Sequence, residues 1–394
     1  MRIAIVMPRG GAMCRRTTNS METVAHTLHA HSRLKGDVRI ICDAGAAEPL
    51  ADNLITVPAE LNKRRRANAV AQALKAFDPG YIEYHQQLES ASSLARRFPD
   101  KVHVLYRHTR IKAPRSAVER MRYEGRLKVF NRLVFVSEAA CAEFLADYPR
   151  FADRVSSVCN PIDSQAWHGE VEQREKLILF SGRAIKEKGL EPFCDALASV
   201  LDEAPEWRGA LMLGDWDRHE AWAGPVIARL ERFGDRVEIH RSASIQEVKA
   251  VTRRAAIAVA PSFVAEALGL TALEAHAAGA ALISSGRGGL REASGPHAVY
   301  VDPPEAEGLA SAMTKLIGAP QLRTSMARRA QTRVAEVHAA EIRSAQLDDL
   351  RERLMAQAPQ PRLSPRRDPL AGRLGALVDR ARRPKAGGTW QPAG

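Results

Sequence analysis

Two short segments in the second half of the chain carry charged side chains spaced to hold a polyanion. The first reads Leu177-Ile178-Leu179-Phe180-Ser181-Gly182-Arg183-Ala184-Ile185-Lys186-Glu187-Lys188-Gly189-Leu190. An apolar run ends at Gly182, a turn carries Arg183 and Lys188, and Gly189 leads into a helical pattern. Ligands of parallel sheets sit beyond the carboxyl ends of strands, so two cations on such a turn suit a diphosphate. By itself the segment is equally readable as a solvated charged turn. The second reads Ala260-Pro261-Ser262-Phe263-Val264-Ala265-Glu266-Ala267-Leu268-Gly269-Leu270-Thr271-Ala272-Leu273-Glu274-Ala275. Its pattern predicts a strand ending at Pro261 and a helix starting near Gly269. Glu266 then lies in the loop, and Glu274 sits inside the helix, roughly 7.5 Å along its axis. Between them, the free N–H groups of Gly269 and Leu270 and the positive helix end form an anion site. A carboxylate on each side of a diphosphate cradle suits a ligand with hydroxyls at both ends, as in a nucleotide sugar.

Positioning these groups requires a regular scaffold. Short apolar runs at Arg2–Met7, Val38–Cys42, Tyr81–Tyr84, Val102–Tyr106, Leu133–Ser137 and Ser156–Cys159 predict six strands. Six more are expected at Leu177–Ser181, Ala210–Gly214, Val237–His240, Ile257–Ala260, Ala281–Ser284 and Ala298–Val301. Helical patterns separate them, which implies βαβ units and parallel sheets covered on both faces. Leu190, Phe193, Leu197 and Leu201 recur at helical spacing, with Pro192 in the first turn. Asn19 and Glu22 stand in cap-and-N3 spacing before a helix carrying Val24, Leu28 and His31. The polar stretch Asp163–Glu175 divides the strands into two doubly wound α/β domains. The expected limits are 1–165 and 166–330, then helices over 331–356 that cross back to the first domain. Residues 357–394 hold six prolines and eight basic against two acidic residues, the composition of a disordered basic tail.

Composition narrows the function classes. The chain has 394 residues, 45% hydrophobic and 26% charged, as in a soluble globular protein rather than a disordered or polytopic membrane one. Its formal net charge of +12 favours anionic partners. Nine basic and two acidic residues fall between Arg107 and Arg132, around Val118, Met121 and Phe130. That stretch reads either as a solvated face or as a surface for anionic lipid or saccharide. Aromatic residues make up only 5%, and no nucleic-acid module is apparent, so no specific nucleic-acid partner is expected. Five scattered cysteines without Cys-x-x-Cys suggest a reducing compartment. No secretory or membrane-spanning run is present, so the expected location is cytoplasmic, with peripheral attachment to the inner face of the cell membrane. Asp215-Trp216-Asp217 reads as a strand-end loop, and no His/Cys cluster has zinc spacing, so no metal and no cofactor are expected. A Gly-x(4)-Gly-Lys-Ser/Thr loop is also absent.

The two segments resemble the donor domain of retaining family-four glycosyltransferases of the GT-B fold, whose motifs are Gly-Arg-x(4)-Lys-Gly and Glu-x(7)-Glu. The resemblance implies diphosphate binding by Arg183 and Lys188, a donor-sugar contact for Glu266 and a ribose contact for Glu274. It also implies that Gly269 and Leu270 present backbone N–H to phosphate. Ser284-Ser285-Gly286-Arg287-Gly288-Gly289-Leu290-Arg291-Glu292 resembles the family's Gly-Gly-x-x-Glu loop. In the first half, Gly10 and Gly11 resemble the glycine loop that approaches the donor phosphate. Val136-Ser137-Glu138 and Asn160-Pro161-Ile162-Asp163 resemble signatures that precede the hinge. The family places a histidine in the cleft, here His85 or His108; the polar company of Arg107, Thr109 and Arg110 favours His108. Leu268, Ala281 and Pro161 depart from a usual aromatic, proline and glycine. The resemblance thus implies a GT-B enzyme with two Rossmann-like domains facing a cleft. It would move a sugar with retention from a UDP- or GDP-sugar to a saccharide or lipid-linked acceptor, in cell-envelope glycan or lipopolysaccharide assembly. The alternatives are a nucleotide-sugar epimerase or hydrolase of this fold and a non-catalytic basic scaffold.

Overall fold

The computed structural model describes residues 1–15 and 19–357. The basic tail expected at 357–394 therefore lies, except for Gln357, outside the described residues. Strands β1 (Ile3–Val6), β2 (Val38–Asp43), β3 (Leu54–Val57), β4 (Tyr81–His85), β5 (Val102–Arg107), β6 (Arg132–Phe135) and β7 (Val155–Ser157) build the first sheet. Its order is β3-β2-β1-β4-β5-β6-β7, and every pairing is parallel. Strands β8 (Glu175–Arg183), β9 (Arg208–Gly214), β10 (Val237–Arg241), β11 (Ala255–Ala260), β12 (Ala281–Ser284) and β13 (Ala298–Tyr300) build the second. Its order is β10-β9-β8-β11-β12-β13, again all parallel. The strand order reverses between β1 and β4 and between β8 and β11, which opens a crevice at the carboxyl edge of each sheet.

Central strands such as β1 are buried along their whole length because helices cover both faces. This produces the continuous apolar runs seen in the sequence. The expectation of twelve strands missed β3. It is four residues long and lies on the sheet edge, and only Val57 of it is buried, so no buried run marks it.

Asn19 caps the helix Ser20–Ala30 with the expected box: its side chain accepts the Glu22 N–H, and Glu22 accepts the Asn19 N–H. His31, expected on that helix, instead terminates it. Within the stretch read as a linker, Asp163 caps a short helix, Ser164–Trp167. Phe130, grouped with Val118 and Met121, lies beyond the helix Ala117–Leu127 and is buried, whereas the other two are exposed.

The chain crosses between lobes twice, and the crossings touch. Ile162 donates its N–H to His338 O at 2.8 Å and bridges Ala339. Helices Ala306–Gly318 and Pro320–Val337 precede the second crossing; the last helix, Ala340–Ala356, packs on the first lobe. Ser32 Oγ donates to Asp348 Oδ1 at 2.8 Å, and Arg33 pairs with Asp349 and Glu352. Fully buried Arg351 lies 3.1 Å from Glu83 and 3.2 Å from Asp348. Removing one partner from such a pair costs about 3–5 kcal/mol, because a charge is left buried and unmatched. The last helix is thereby tied to β4.

Candidate active site

The segment after β8 is held against the end of β11 by backbone contacts. Lys186–Lys188 form one 3₁₀ turn, and Gly189, at φ +74°, opens the helix Leu190–Glu203. A Cβ at Gly189 would collide with Pro261 O, so only glycine permits this approach. Phe263 donates its N–H to Glu187 O at 2.8 Å, and Ser262 Oγ donates to the same oxygen at 3.2 Å. This stitching brings Lys188 Nζ to 2.5 Å from Glu266 Oε1, which also accepts from Ser262 Oγ at 2.7 Å. Arg183, the last residue of β8, is exposed and has no side-chain partner among the described residues.

Gly269, at φ +95°, caps the helix Leu270–Ala278, and a Cβ there would meet Leu290 at 2.5 Å. The first N–H groups of that helix, beginning with Leu270, have no acceptor within the helix. Glu266 is fixed by its own backbone: its O accepts from Gly289 N at 2.8 Å, and its N–H donates to Arg287 O at 3.3 Å. Glu274, further along the helix, borders a small cavity with Ser181, Thr252 and Thr271. Desolvation pushes its carboxyl up to about 7, against the opposing pull of Lys249. Lys188, Glu266, Gly269 and Glu274 thus collect at the crevice between β8 and β11, while Arg183 ends β8 beside Gly214 of β9.

The first-lobe edge is organised by a buried polar chain. Gly10 donates its N–H to Asp43 Oδ2 at 2.7 Å, and Gly11 donates to Pro8 O at 3.0 Å, so both glycine N–H groups are internally engaged. His85 and His108, left as alternatives by the sequence, contact one another: His85 Nδ1 and His108 Nε2 are 2.8 Å apart. His85 Nε2 lies 3.0 Å from Glu83 Oε1, and both rings stack on Tyr106. With Glu83 ionised, His85 donates through Nε2; a neutral His85 ring then accepts at Nδ1 from His108 Nε2. This assignment of tautomers follows from the network and leaves the lone pair of His108 on Nδ1. Burial would raise the Glu83 pKa, but Arg351 and His85 more than offset it and hold the carboxyl down to about 2. Desolvation, then His85 and Arg107, push the His108 pKa down, so its imidazole is neutral. Of the two, His108 is the one with partial exposure.

Two participants were not assigned from sequence. Glu83 and His85 are two apart on one strand and so share a face, a spacing that would have linked them. Glu292 belongs to the helix Gly289–Ser294 but accepts the N–H groups of Glu138 and Ala139, at 3.0 and 2.9 Å. Those groups open the first-lobe helix Glu138–Asp147, where a carboxylate is favoured by the helix dipole. Ser137 Oγ adds a contact to Ala267 O at 2.5 Å. Through these contacts the segment beyond β6 meets the segments beyond β11 and β12.

Residues 162–333 match the family model of glycosyl transferases group 1, which places that domain on the second lobe. The D-inositol 3-phosphate glycosyltransferase of Corynebacterium jeikeium is 30% identical over 171 residues, 41% of this chain and 40% of that one. The phosphatidyl-myo-inositol mannosyltransferase of Mycobacterium tuberculosis is 34% identical over 143 residues, 35% of this chain and 36% of that one. The matches thus span about two fifths of these relatives' lengths. Anabaena HepE, solved with UDP, superposes with a TM-score of 0.71 at 15% identity, over 90% of this chain and 100% of that one. The sucrose-phosphate synthase of Thermosynechococcus elongatus gives 0.74 at 17%, over 90% and 100%. The shared architecture is the GT-B fold.

Proposed function

We propose that the protein is a hexosyltransferase that uses a nucleotide-diphosphate sugar as donor. The observation that carries this reading is the meeting of Lys188 and Glu266, from two separate loops, beside the N-terminus of the Leu270–Ala278 helix. A diphosphate placed there faces Lys188, Arg183 and the first helix N–H groups. Glu266 addresses the sugar on one side and Glu274 the ribose on the other. As the glycosidic bond to phosphate breaks, negative charge grows on the leaving diphosphate, and these fixed groups stabilise it. His108 presents its Nδ1 lone pair to the acceptor hydroxyl. The reaction proceeds with retention, by same-face attack without a protein nucleophile and without a metal ion.

The complexes of the Anabaena protein with UDP and UDP-glucose support UDP as the carrier. The acceptor is a saccharide or a lipid-linked saccharide of the cell envelope, reached by peripheral attachment to the inner membrane face. Among the described residues no helix is long and apolar enough to cross a membrane. The basic helix Ala117–Leu127 with its exposed Val118 and Met121 supports surface attachment.

A thermal-shift screen of UDP- and GDP-sugars tests the donor, because a ligand that binds only the folded state raises its melting temperature. One nucleotide series is expected to stabilise the protein, and Lys188→Ala to abolish the shift. No shift with any nucleotide sugar would overturn the reading.

A further inference from the structure

His108 is backed by a row of groups drawn from three parts of the fold. Arg351 of the last helix meets Glu83 of β4, Glu83 meets His85, and His85 meets His108 just past β5. Arg351, Glu83 and His85 are at most 2% exposed, so bulk water does not compete for their bonds. The carboxylate divides its two oxygens. Oε2 accepts from Arg351 Nη2 at 3.1 Å and Nε at 3.3 Å, while Oε1 faces His85 Nε2 at 3.0 Å. Arg351 is steadied from behind by Asp348 at 3.2 Å, which also accepts from Ser32 Oγ at 2.8 Å and the Arg33 N–H at 2.9 Å. Tyr106 stacks on both imidazoles and donates its hydroxyl to Val158 O at 3.0 Å. Gln86 Oε1 accepts the His108 backbone N–H at 3.0 Å.

A carboxylate can only accept and a guanidinium can only donate. With both rings neutral, this end condition sets every proton in the row. His85 carries its proton on Nε2, His108 carries its own on Nε2, and the His108 lone pair lies on Nδ1. A carboxamide in place of the carboxylate would do the reverse. Arg351 would take its oxygen, its amide N–H would turn to His85 Nε2, and the His108 proton would end on Nδ1. A buried acid behind an imidazole selects the tautomer in this way in catalytic triads, where the amide replacement keeps the geometry and removes most of the turnover.

We propose that Glu83 and Arg351 are positioning residues for sugar transfer: Glu83 orders the protons of the two histidines, and Arg351 holds Glu83 in place. The role in transfer rests on the reading of His108 as the group that meets the acceptor hydroxyl; the proton order rests on the geometry alone. In the step itself the acceptor oxygen bonds the sugar carbon, and the electron pair of the broken bond leaves with the diphosphate. The acceptor proton passes to His108 Nδ1, and the positive charge formed there is shared along the row towards Glu83. Arg351 and Glu83 are 268 positions apart, so the last helix acts on this histidine through one ion pair.

Nitrogen NMR of the full chain with labelled histidine reads the proton order directly. The parent is expected to show His108 protonated on Nε2 and bare on Nδ1, and Glu83→Gln to show the inverse. Turnover of Glu83→Gln is read as UDP or GDP released from the donor that the thermal-shift screen selects. It should fall on the order of 1,000-fold, with the donor KM kept at the parent value. Glu83→Asp retains an acceptor and should restore the parent order with part of the turnover; loss of packing alone would not invert the protons. A His108 proton on Nδ1 in the parent overturns the proposal, and that spectrum needs no variant to fold. Parent-like turnover in Glu83→Gln overturns it as well. If no nucleotide sugar binds, the donor reading fails and takes the transfer role with it, while the parent spectrum still judges the proton order.

Discussion

Lys188 and Glu266 stand 78 positions apart in sequence, yet their charged ends meet at 2.5 Å in the crevice between β8 and β11. Their side chains are 23% and 17% exposed, so water screens the pair only in part. The carboxylate occupies the place at Lys188 that an incoming phosphate would take. On the proposed donor reading, nucleotide binding would exchange one anion for another at this lysine, and Glu266 would be released towards the sugar in the same step.

Glu266→Gln should consequently raise affinity for free UDP or GDP while abolishing transfer. A partly screened ion pair of about 1 kcal/mol corresponds to about a fivefold gain. Calorimetric titration of the variant with nucleotide reads it; a drop in affinity would mean that Glu266 contacts the nucleotide itself.

Loss of either donor-side cation should affect chemistry more than folding. Arg183→Ala and Lys188→Ala are each expected to lower turnover on the order of 100-fold, as for other preorganised donors to a developing charge. Arg183→Ala should melt like the parent chain, since Arg183 has no side-chain partner among the described residues. Turnover near the parent value in both variants would remove the diphosphate assignment.

Glu274 should make stability and nucleotide binding pH-dependent. Its carboxyl is raised from 4.5 to about 7 in the folded chain, so the fold takes up its proton more readily than the unfolded chain does. The favourable contribution is complete below the unfolded value and is lost as pH rises through about 7. Glu274→Gln should thus melt several degrees higher than the parent at pH 8, with the gap closing at pH 4. In the parent, nucleotide affinity should rise with pH across the same window, because the ionised carboxylate accepts the ribose hydroxyls. A Glu274→Gln variant that keeps this pH dependence would assign it elsewhere.

Glu292 should act as a latch between the lobes. Glu292→Ala strips the cap from two N–H groups of the Glu138–Asp147 helix and is expected to cost about 1 kcal/mol. Chemical denaturation would measure that cost, and small-angle scattering should show a larger radius of gyration for the nucleotide-free variant. No change in either would make the contact incidental.

Val118 and Met121, 62% and 68% exposed among arginines, should mark a membrane-facing patch. Attraction of about 1 kcal/mol per basic residue near an anionic leaflet predicts reversible binding to phosphatidylglycerol vesicles that weakens with salt. Replacing both with serine should reduce binding without lowering activity on a soluble acceptor. Removing residues 357–394 should weaken attachment further. Sequence-selective DNA binding without vesicle binding would reverse this reading.

The parallel sheets and most strand positions were readable from sequence, because strands covered on both faces must be continuously apolar and helices must not be. The edge strand β3 escaped because it buries almost nothing. The loops that carry Lys188, Glu266 and Gly269 were legible for a related reason: each is local, a strand end, a glycine and a helix start within a few residues. What no local pattern carries is contact between distant segments. The pairing of Lys188 with Glu266 depends on Gly189 lying against Pro261, and the capping of a first-lobe helix by Glu292 depends on how the lobes close. Polar neighbours in the sequence favoured His108 over His85, but no local pattern shows that the two rings belong to one chain of hydrogen bonds from Glu83. That chain is completed by Arg351 from the far end of the polypeptide. Burial and polar partners decide charge and protonation, and both are properties of the folded chain. Sequence specifies which groups are available; the fold determines which of them remain ionised, neutral or unmatched.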